Sequence, residues 1–334
     1  MANIKQVANM AGVSTATVSK YLNGIKIKEK NMLAVEDAVK ALDFRRNDIA
    51  RGLRTKKSMT VGILLPELNN MFFTSIVSSI DEAVERHGYG TIVCTTHSNA
   101  DRETEKLQFL KQKKIDGLIT APTSDASEFL KKAGNDIPVV LIDRSADSDE
   151  IKANNDFILS DNLKASREAT DMFIAKGHTK IAILCGPTLS YTPRERYGGY
   201  ESALEDAGIE CDKRLVKFGK YDIESGITLT RELFANGDVT PTAIFATNNE
   251  LTLGAVIALN ELGIIPGKDI SFIGFDNTEL ASAHNPKLTV IAQPIAEFGY
   301  TAADALLRRM NGGDAAGVKR LSTVLIDNGS VLSV

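Results

Sequence analysis

Paired carboxylates, guanidiniums, side-chain amides and flat rings recur in short clusters along this 334-residue chain, each just after an apolar run. "TVGILLP" is followed by "ELNNMFF", which holds Asn70, Phe72 and Phe73. Asp143 and Arg144 follow "PVVLI". "PRERYGG", with Arg196, comes after "IAILCGP", and Tyr221 comes after "LVKFG". Asn248 and Asn249 follow "AIFAT", Asp276 follows "SFIGF", and Gln293 follows "LTVIA". These residue types together suit a neutral polyol. Charged and amide groups satisfy hydroxyls both as donors and as acceptors, and aromatic rings stack on the C–H faces of a sugar. Any one of them alone reads as a cap or turn residue. Their joint occurrence points to a shared cleft.

The apolar runs that precede these clusters have strand length. "TVGILLP", "GTIVCTT", "IDGLITAP" and "PVVLID" alternate with helical segments such as "FFTSIVSSIDEAVERHG" and "ADRETEKLQFLKQKK". After about residue 160 the rhythm repeats with "KIAILCG", "LVKFG", "AIFAT" and "ISFIGFD" between further helices. Alternation of this kind predicts an α/β fold of parallel sheets covered on both faces. Two series predict two similar lobes. In such sheets ligands bind beyond the carboxyl ends of the strands, where the clusters lie.

The first 60 residues are different. They carry 12 Lys and Arg against 5 Asp and Glu, while the other 274 residues carry 27 basic and 38 acidic groups. A basic head on an acidic body suggests a polyanion touched by the head alone. Ile4, Val7, Ala8 and Ala11 share one helical face, and Gly12 ends that helix. Ser14 is a natural cap for the next helix, whose Val18 and Leu22 point inward. A third helix is predicted around "NMLAVEDAVKALDF", with Met32, Val35, Ala38, Val39 and Leu42 at helical spacing. Three short helices with a tight turn between the first two form a helix-turn-helix unit. "RRNDIARGLRTKKSMT" has too few apolar residues for a core, so it reads as a hinge that a partner orders.

Other classes find little support. The longest apolar runs are too short to span a membrane, and "MANIKQVANMAGV" lacks the pattern of a signal peptide. A cytoplasmic chain is therefore expected. Cys94, Cys185 and Cys211 are far apart and read as free thiols, with neither disulfide nor metal-ligand spacing. His87, His97, His178 and His284 belong to no nucleophile or metal motif, and each reads as a surface or turn histidine. No P-loop and no correctly spaced glycine fingerprint appears. Asp143 and Asp276 could imitate a glycosidase pair, but flanking arginines are expected to keep them ionised. No enzyme activity, metal or cofactor is expected.

The segments "IKQVANMAGVSTATVSKYLNG", "NDIARGLRTKKSMTVGILLPELNNMFF", "ERYGGYESALEDAG", "AIFATNNELTLGAVIALNELG" and "DISFIGFDNTELA", with the later "LTVIAQP", together resemble the lactose-repressor family of bacterial transcription regulators. The likeness covers essentially the whole chain. It implies a small all-α helix-turn-helix headpiece over residues 1–46, a hinge helix and linker over 47–59, and a two-lobed, periplasmic-binding-protein-like core over 60–334. The amino-terminal lobe would comprise about 60–160 and 292–320, and the other lobe about 161–291 and 321–334. The implied partners are double-stranded operator DNA, a second copy of the chain and a small sugar, with no membrane. Thr15, Ala16 and Lys20 would meet base edges in the major groove, where small side chains allow close approach. Thr17 and Ser19 would bond phosphate or cap locally, with Asn23, Asn47 and Arg51 also at the DNA. Leu53 would wedge into the minor groove. Two departures stand out. Lys20 replaces the usual Arg and cannot make its planar two-pronged contact to guanine. Arg46 replaces the usual proline before the hinge.

In the core the likeness is to ribose-binding members of the wider superfamily. Asn70, Phe72, Phe73, Asn99, Asp143, Arg144, Arg196, Tyr221, Asn248, Asp276 and Gln293 fall at matching positions. Phe72 and a second ring, Phe73 or Tyr221, would sandwich the sugar. Tyr221 stands where those sites commonly have Phe. The expectation is a repressor released by D-ribose or a similar pentose, with a hexose or nucleoside as further possibilities. The alternative is a catabolite-control-type regulator that responds to a phosphorylated carrier protein; the presence of Arg144, Arg196 and Asp276 favours the small molecule. A secreted solute-binding protein would lack the basic head.

Overall fold

The computed structural model describes residues 2–22, 25–44, 57–188, 190–235, 239–276 and 278–334. By its contacts the chain divides into two compact units, Met1–Ser58 and Met59–Val334.

In the first unit three helices form around one small core. Helix α1 spans Ile4–Met10, α2 Thr15–Leu22 and α3 Glu29–Ala41. Asn3 and Gln6 cap α1 reciprocally, which satisfies two of the amide protons that a helix start leaves without partners. Gly12 turns the chain at φ +63°, a conformation that costs glycine little. Ser14 Oγ then accepts from Thr17 N at 3.1 Å and starts α2. Val7, Ala8, Val18, Val35 and Ala38 are buried together. Met32, at the same helical spacing, is instead 39% exposed.

The second unit contains two six-stranded sheets. The strands are β1 Thr60–Leu65, β2 Gly90–Thr95, β3 Gly117–Thr120, β4 Val139–Ile142, β5 Asp156–Ser160, β6 Ile181–Cys185, β7 Val216–Phe218, β8 Ala243–Ala246, β9 Ser271–Phe275, β10 Thr289–Ala292, β11 Val318–Leu321 and β12 Val324–Ile326. One sheet has the order β11-β5-β4-β3-β1-β2 and the other β12-β10-β9-β8-β6-β7. All neighbours are parallel except β10 and β12. Each sheet thus repeats one winding, in which the first strand of its series lies between the second and the third. That reversal creates a crevice at the strand ends.

The helices of this unit are α4 Met71–Glu85, α5 Ala100–Gln112, α6 Ala126–Ala133, α7 Asp149–Asn154, α8 Asn162–Ala175, α9 Tyr191–Asp206, α10 Ile223–Ala235, α11 Asn249–Glu261, α12 Thr278–Ala283 and α13 Ile295–Met310. Both sheets are apolar on both faces, as sheets covered by helices must be: β1, β3, β4, β6, β8 and β9 are almost wholly buried. Helices α10 and α11 meet so closely that a Cβ on Gly254 would lie 2.3 Å from the Ile223 carbonyl oxygen.

Strands β5, β11 and β12 were not marked by hydrophobic periodicity. In β5 only "FIL" is apolar, and β11 reads "VKRL". These short strands flank the places where the chain passes between sheets: after β5, after β10 and between β11 and β12.

Candidate functional site

Asp143 follows β4 and Asp276 follows β9, each the fourth strand of its series. Both are left-handed, at φ 57° and 74°. Both donate their amide N–H to the neighbouring strand, Asp143 to Ile158 O at 3.0 Å and Asp276 to Ile291 O at 2.8 Å. Each ladder thus runs one residue beyond its strand and then turns a carboxylate out at the sheet's carboxyl end. Residues held in this region cluster at functional sites, although aspartate enters it more readily than most.

Arg196 lies on α9, 3% exposed. Its Nε donates to Asn162 Oδ1 at 2.8 Å and its Nη1 to the Thr247 carbonyl. Its guanidinium carbon sits 3.7 Å from the centre of the Phe275 ring, a cation–π contact. Gln293 Nε2 donates to Asp276 Oδ1 at 2.5 Å, and Ser160 Oγ donates to Gln293 Oε1. Burial pushes the Asp276 carboxyl up to about 6, although Arg196 and Gln293 pull the other way. Desolvation outweighs the guanidinium in setting this value, yet a carboxyl at about 6 is still mostly ionised at neutral pH.

The first lobe meets the second at α9 and α11. Arg144 Nη1 pairs with Asp143 Oδ2 and reaches Thr192 Oγ1 at 3.0 Å, and Thr192 Oγ1 donates to the Asp143 carbonyl at 2.8 Å. The first turn of α9 is also clipped by Arg194 to Asp147 at 3.0 Å and by Arg320 to Glu195 at 2.9 Å. Asn70 Nδ2 crosses from the first lobe to Glu250 Oε2 at 3.1 Å.

Three of the amides are helix caps. Asn70 Oδ1 accepts from Phe72 N at 2.9 Å, Asn248 Oδ1 from Leu251 N at 2.9 Å, and Asn99 Oδ1 from Arg102 N at 2.9 Å. Asn70 and Asn248 cap and still turn their amide nitrogens to Glu250. Asn99 is exposed, and its hydrogen bonds are local, to Arg102, Thr96 and Glu103.

The rings are placed unequally. Phe72 and Phe73 are 5% and 6% exposed and belong to the first-lobe core, edge to face at 5.3 Å. Tyr221 lies flat against Gly186, where a Cβ would come within 2.5 Å of the ring. Its hydroxyl is buried and has no hydrogen-bond partner among the described residues. Burial pushes it up to about 12, so it stays a phenol and a donor. Thr247 Oγ1 gives its own proton to Leu184 O at 2.7 Å.

The structure thus brings together Arg196, Asp276, Gln293, Asn248 and Asn70 with Asp143 and Arg144. Sequence reasoning missed Asn162, Thr192, Phe275 and Glu250. Phe275 is the last residue of an apolar strand and reads as core. Asn162, Thr192 and Glu250 lie in first helical turns and read as turn formers. A position at or just past a strand end was the available signal for Phe275, Asn162 and Glu250, while Thr192 lies further on, in the helix after β6. His178 is also corrected. It is 1% exposed, its Nδ1 is 2.8 Å from Thr242 Oγ1, and its Nε2 is 3.0 Å from the Leu332 carbonyl. A buried network, not solvent, surrounds it.

In the head, Thr15, Ala16 and Lys20 of α2 are exposed, while Thr17 and Ser19 are half-buried. Thr17 Oγ1 is 2.9 Å from Ser14 Oγ, a local contact. Asn23, Arg46, Asn47, Arg51 and Leu53 lie outside the described residues.

A helix-turn-helix unit joined in one chain to a doubly wound, two-sheet core defines a ligand-responsive regulator of transcription. Residues 3–47 match the model of bacterial regulatory proteins of the lacI family, and residues 58–326 match that of periplasmic binding proteins and the sugar-binding domain of the LacI family. The chain belongs to the lacI family, and is a DNA-binding transcriptional regulator and not an enzyme. It is 33% identical to the HTH-type transcriptional repressor PurR of Haemophilus influenzae (strain PittEE) over 328 residues, 97% of this chain and 95% of the relative. It is 31% identical to the ribose operon repressor of Escherichia coli (strain K12) over 334 residues, 99% of this chain and all of the relative. Among solved structures, a lac repressor dimer bound to operator and the anti-inducer ONPF superposes with a TM-score of 0.88 at 28% identity, covering 99% of both chains. No described helix is long and apolar enough to cross a membrane.

Proposed function

We propose that this regulator is a cytoplasmic, homodimeric repressor of a palindromic operator, released when a small sugar, D-ribose or a similar pentose, binds between the lobes of its core. The observation that carries the sugar reading is the pair of left-handed carboxylates, Asp143 and Asp276, one at the same place in each lobe, with Arg196 engaged beside them. Carboxylates there accept from hydroxyls, and Arg144, Arg196, Asn248 and Gln293 supply donors. The unpartnered Tyr221 hydroxyl offers a donor beside them. The rings that would lie against the sugar are Tyr221 and Phe72 or Phe73. The likeness to a ribose operon repressor supports the pentose.

Thr15, Ala16 and Lys20 would read base edges from α2, with Thr17, Ser19, Asn23, Asn47 and Arg51 at the backbone and Leu53 in the minor groove. A sugar shifts operator affinity only by its difference in affinity between the two states of the core.

A thermal-shift screen of pentoses, hexoses and nucleosides tests the reading. D-ribose is expected to stabilise the protein most, as a ligand that binds only the folded state must. Arg196→Ala should abolish that shift and leave operator binding intact. If operator binding is lost together with the shift, the effector site has been misplaced. Silence from every sugar, with a shift from a phosphorylated carrier protein, would overturn the sugar reading.

A further inference from the structure

We infer that Glu250 is a specificity-determining residue of the cleft: an anion built into the chain, seated at the starts of two helices, that turns away phosphorylated ligands and reserves the site for uncharged ones. This rests on the sugar-cleft reading above.

Glu250 lies in the first turn of α11 and is half-buried. Its Oε2 accepts from Asn248 Nδ2 at 2.5 Å and from Asn70 Nδ2 at 3.1 Å, and its Oε1 from Asn249 Nδ2 at 3.2 Å. Asn248 caps α11 and Asn70 caps α4. Two caps from opposite lobes therefore point their amide nitrogens at one carboxylate. Helix starts of this kind attract phosphate, because amide protons and the helix dipole both favour negative charge. Here that place already holds a carboxylate from the protein itself.

The remaining charges offset it only in part: Arg196 still acts on Glu250 and Asp276. Arg144 is engaged with Asp143 and Thr192. Arg196 is engaged with Asn162, the Thr247 carbonyl and the Phe275 ring. Burial raises the Glu250 carboxyl, while Asn249 and Arg196 hold it down; Asp143, Asp276 and Glu250 set three carboxyls against two guanidiniums, and Asp143 and Glu250 each push the Asp276 carboxyl upward. A phosphate ester would add like charge to a partly dehydrated site, where repulsion is strong. A sugar brings only hydroxyls, which carboxylates accept.

The test compares an uncharged ligand with its own phosphate ester on the full-length protein by thermal shift and calorimetry. The pairs are D-ribose with D-ribose 5-phosphate, D-glucose with D-glucose 6-phosphate, and adenosine with its 5′-monophosphate. The member that binds should outcompete its ester by roughly tenfold or more at low salt, with the ratio shrinking as salt rises. Glu250→Gln keeps the shape and one acceptor, and should narrow the ratio by roughly tenfold by admitting the ester. Equal binding of ligand and ester to the unaltered protein, or a ratio that Glu250→Gln leaves unmoved, would reduce Glu250 to an organiser of helix ends, while the cleft reading stands. If the variant does not fold, the ratio in the unaltered protein and its salt dependence decide the question. Silence from all six compounds removes the cleft reading and this inference with it.

Discussion

At the scale of single residues, the most informative group is the Asp276 carboxyl. Its folded value, about 6, lies above its ordinary 3.8. The folded chain therefore keeps a proton where the unfolded chain has lost it. The stability this confers is present below about 3.8 and fades as pH rises through about 6. Asp276→Asn removes the buried charge, and its melting temperature at pH 7 to 8 is expected to exceed that of the unaltered protein in calorimetry. The same change should weaken sugar binding by roughly tenfold or more, because a charge-assisted hydrogen bond is lost. Sugar hydroxyls that donate to this carboxylate lower its pKa. Sugar affinity measured by titration calorimetry should thus rise from pH 5 to pH 7, with proton release in that interval. A flat profile would show that Asp276 does not touch the ligand. The residue types in the cleft were legible in the sequence because each sits beside a strand end. The ranking of burial over Arg196 was not, since desolvation depends on what the fold stacks around the group.

At the scale of elements, the caps and the carboxyl-terminal strap can be tested separately. Ser14→Ala removes the acceptor for Thr17 N. It should cost about 1 kcal/mol of headpiece stability, read as faster amide exchange in α2 and weaker operator binding with the sugar response retained. The strap is tied by Leu332 N to Ser271 Oγ at 2.8 Å, Val334 N to Lys176 O at 3.0 Å, and the Leu332 carbonyl to His178. Burial holds the His178 imidazole below its ordinary 6.5. The unfolded chain takes up this proton first, so the contribution is full above about 6.5 and is lost as pH falls from there to the lowered folded value. Amide exchange at Leu332 and Val334 should accelerate over that range, and His178→Ala should remove the acceleration. These contacts of the final residues appear only in the folded chain.

At the scale of the whole molecule, charge is divided between a basic first 60 residues and an acidic remainder. Operator binding by such a head should weaken steeply with salt, by about 0.9 in log–log slope for each phosphate neutralised. Lys20→Ala should reduce that slope by about one if the ammonium meets phosphate. It should instead relax discrimination at one base pair, with little change in slope, if it reads a base edge. Titrations of operator and of scrambled duplex at several salt concentrations separate the two. The paired Arg194–Asp147 and Arg320–Glu195 contacts carry exposed partners, and each should contribute under about 1 kcal/mol to closure of the lobes.

The sequence alone determined the helix-turn-helix head, the two rounds of strand and helix, and the polar clusters at the strand ends, because periodicity, caps and turns are local properties. Only the tertiary structure decided which clusters meet. Asn70 reaches Glu250 across 180 residues and Arg196 is steadied by Asn162, while Asn99 caps a helix with local bonds. Those partnerships depend on how two sheets face each other and on which groups lose their water. Both are properties of the packed chain and of no segment within it.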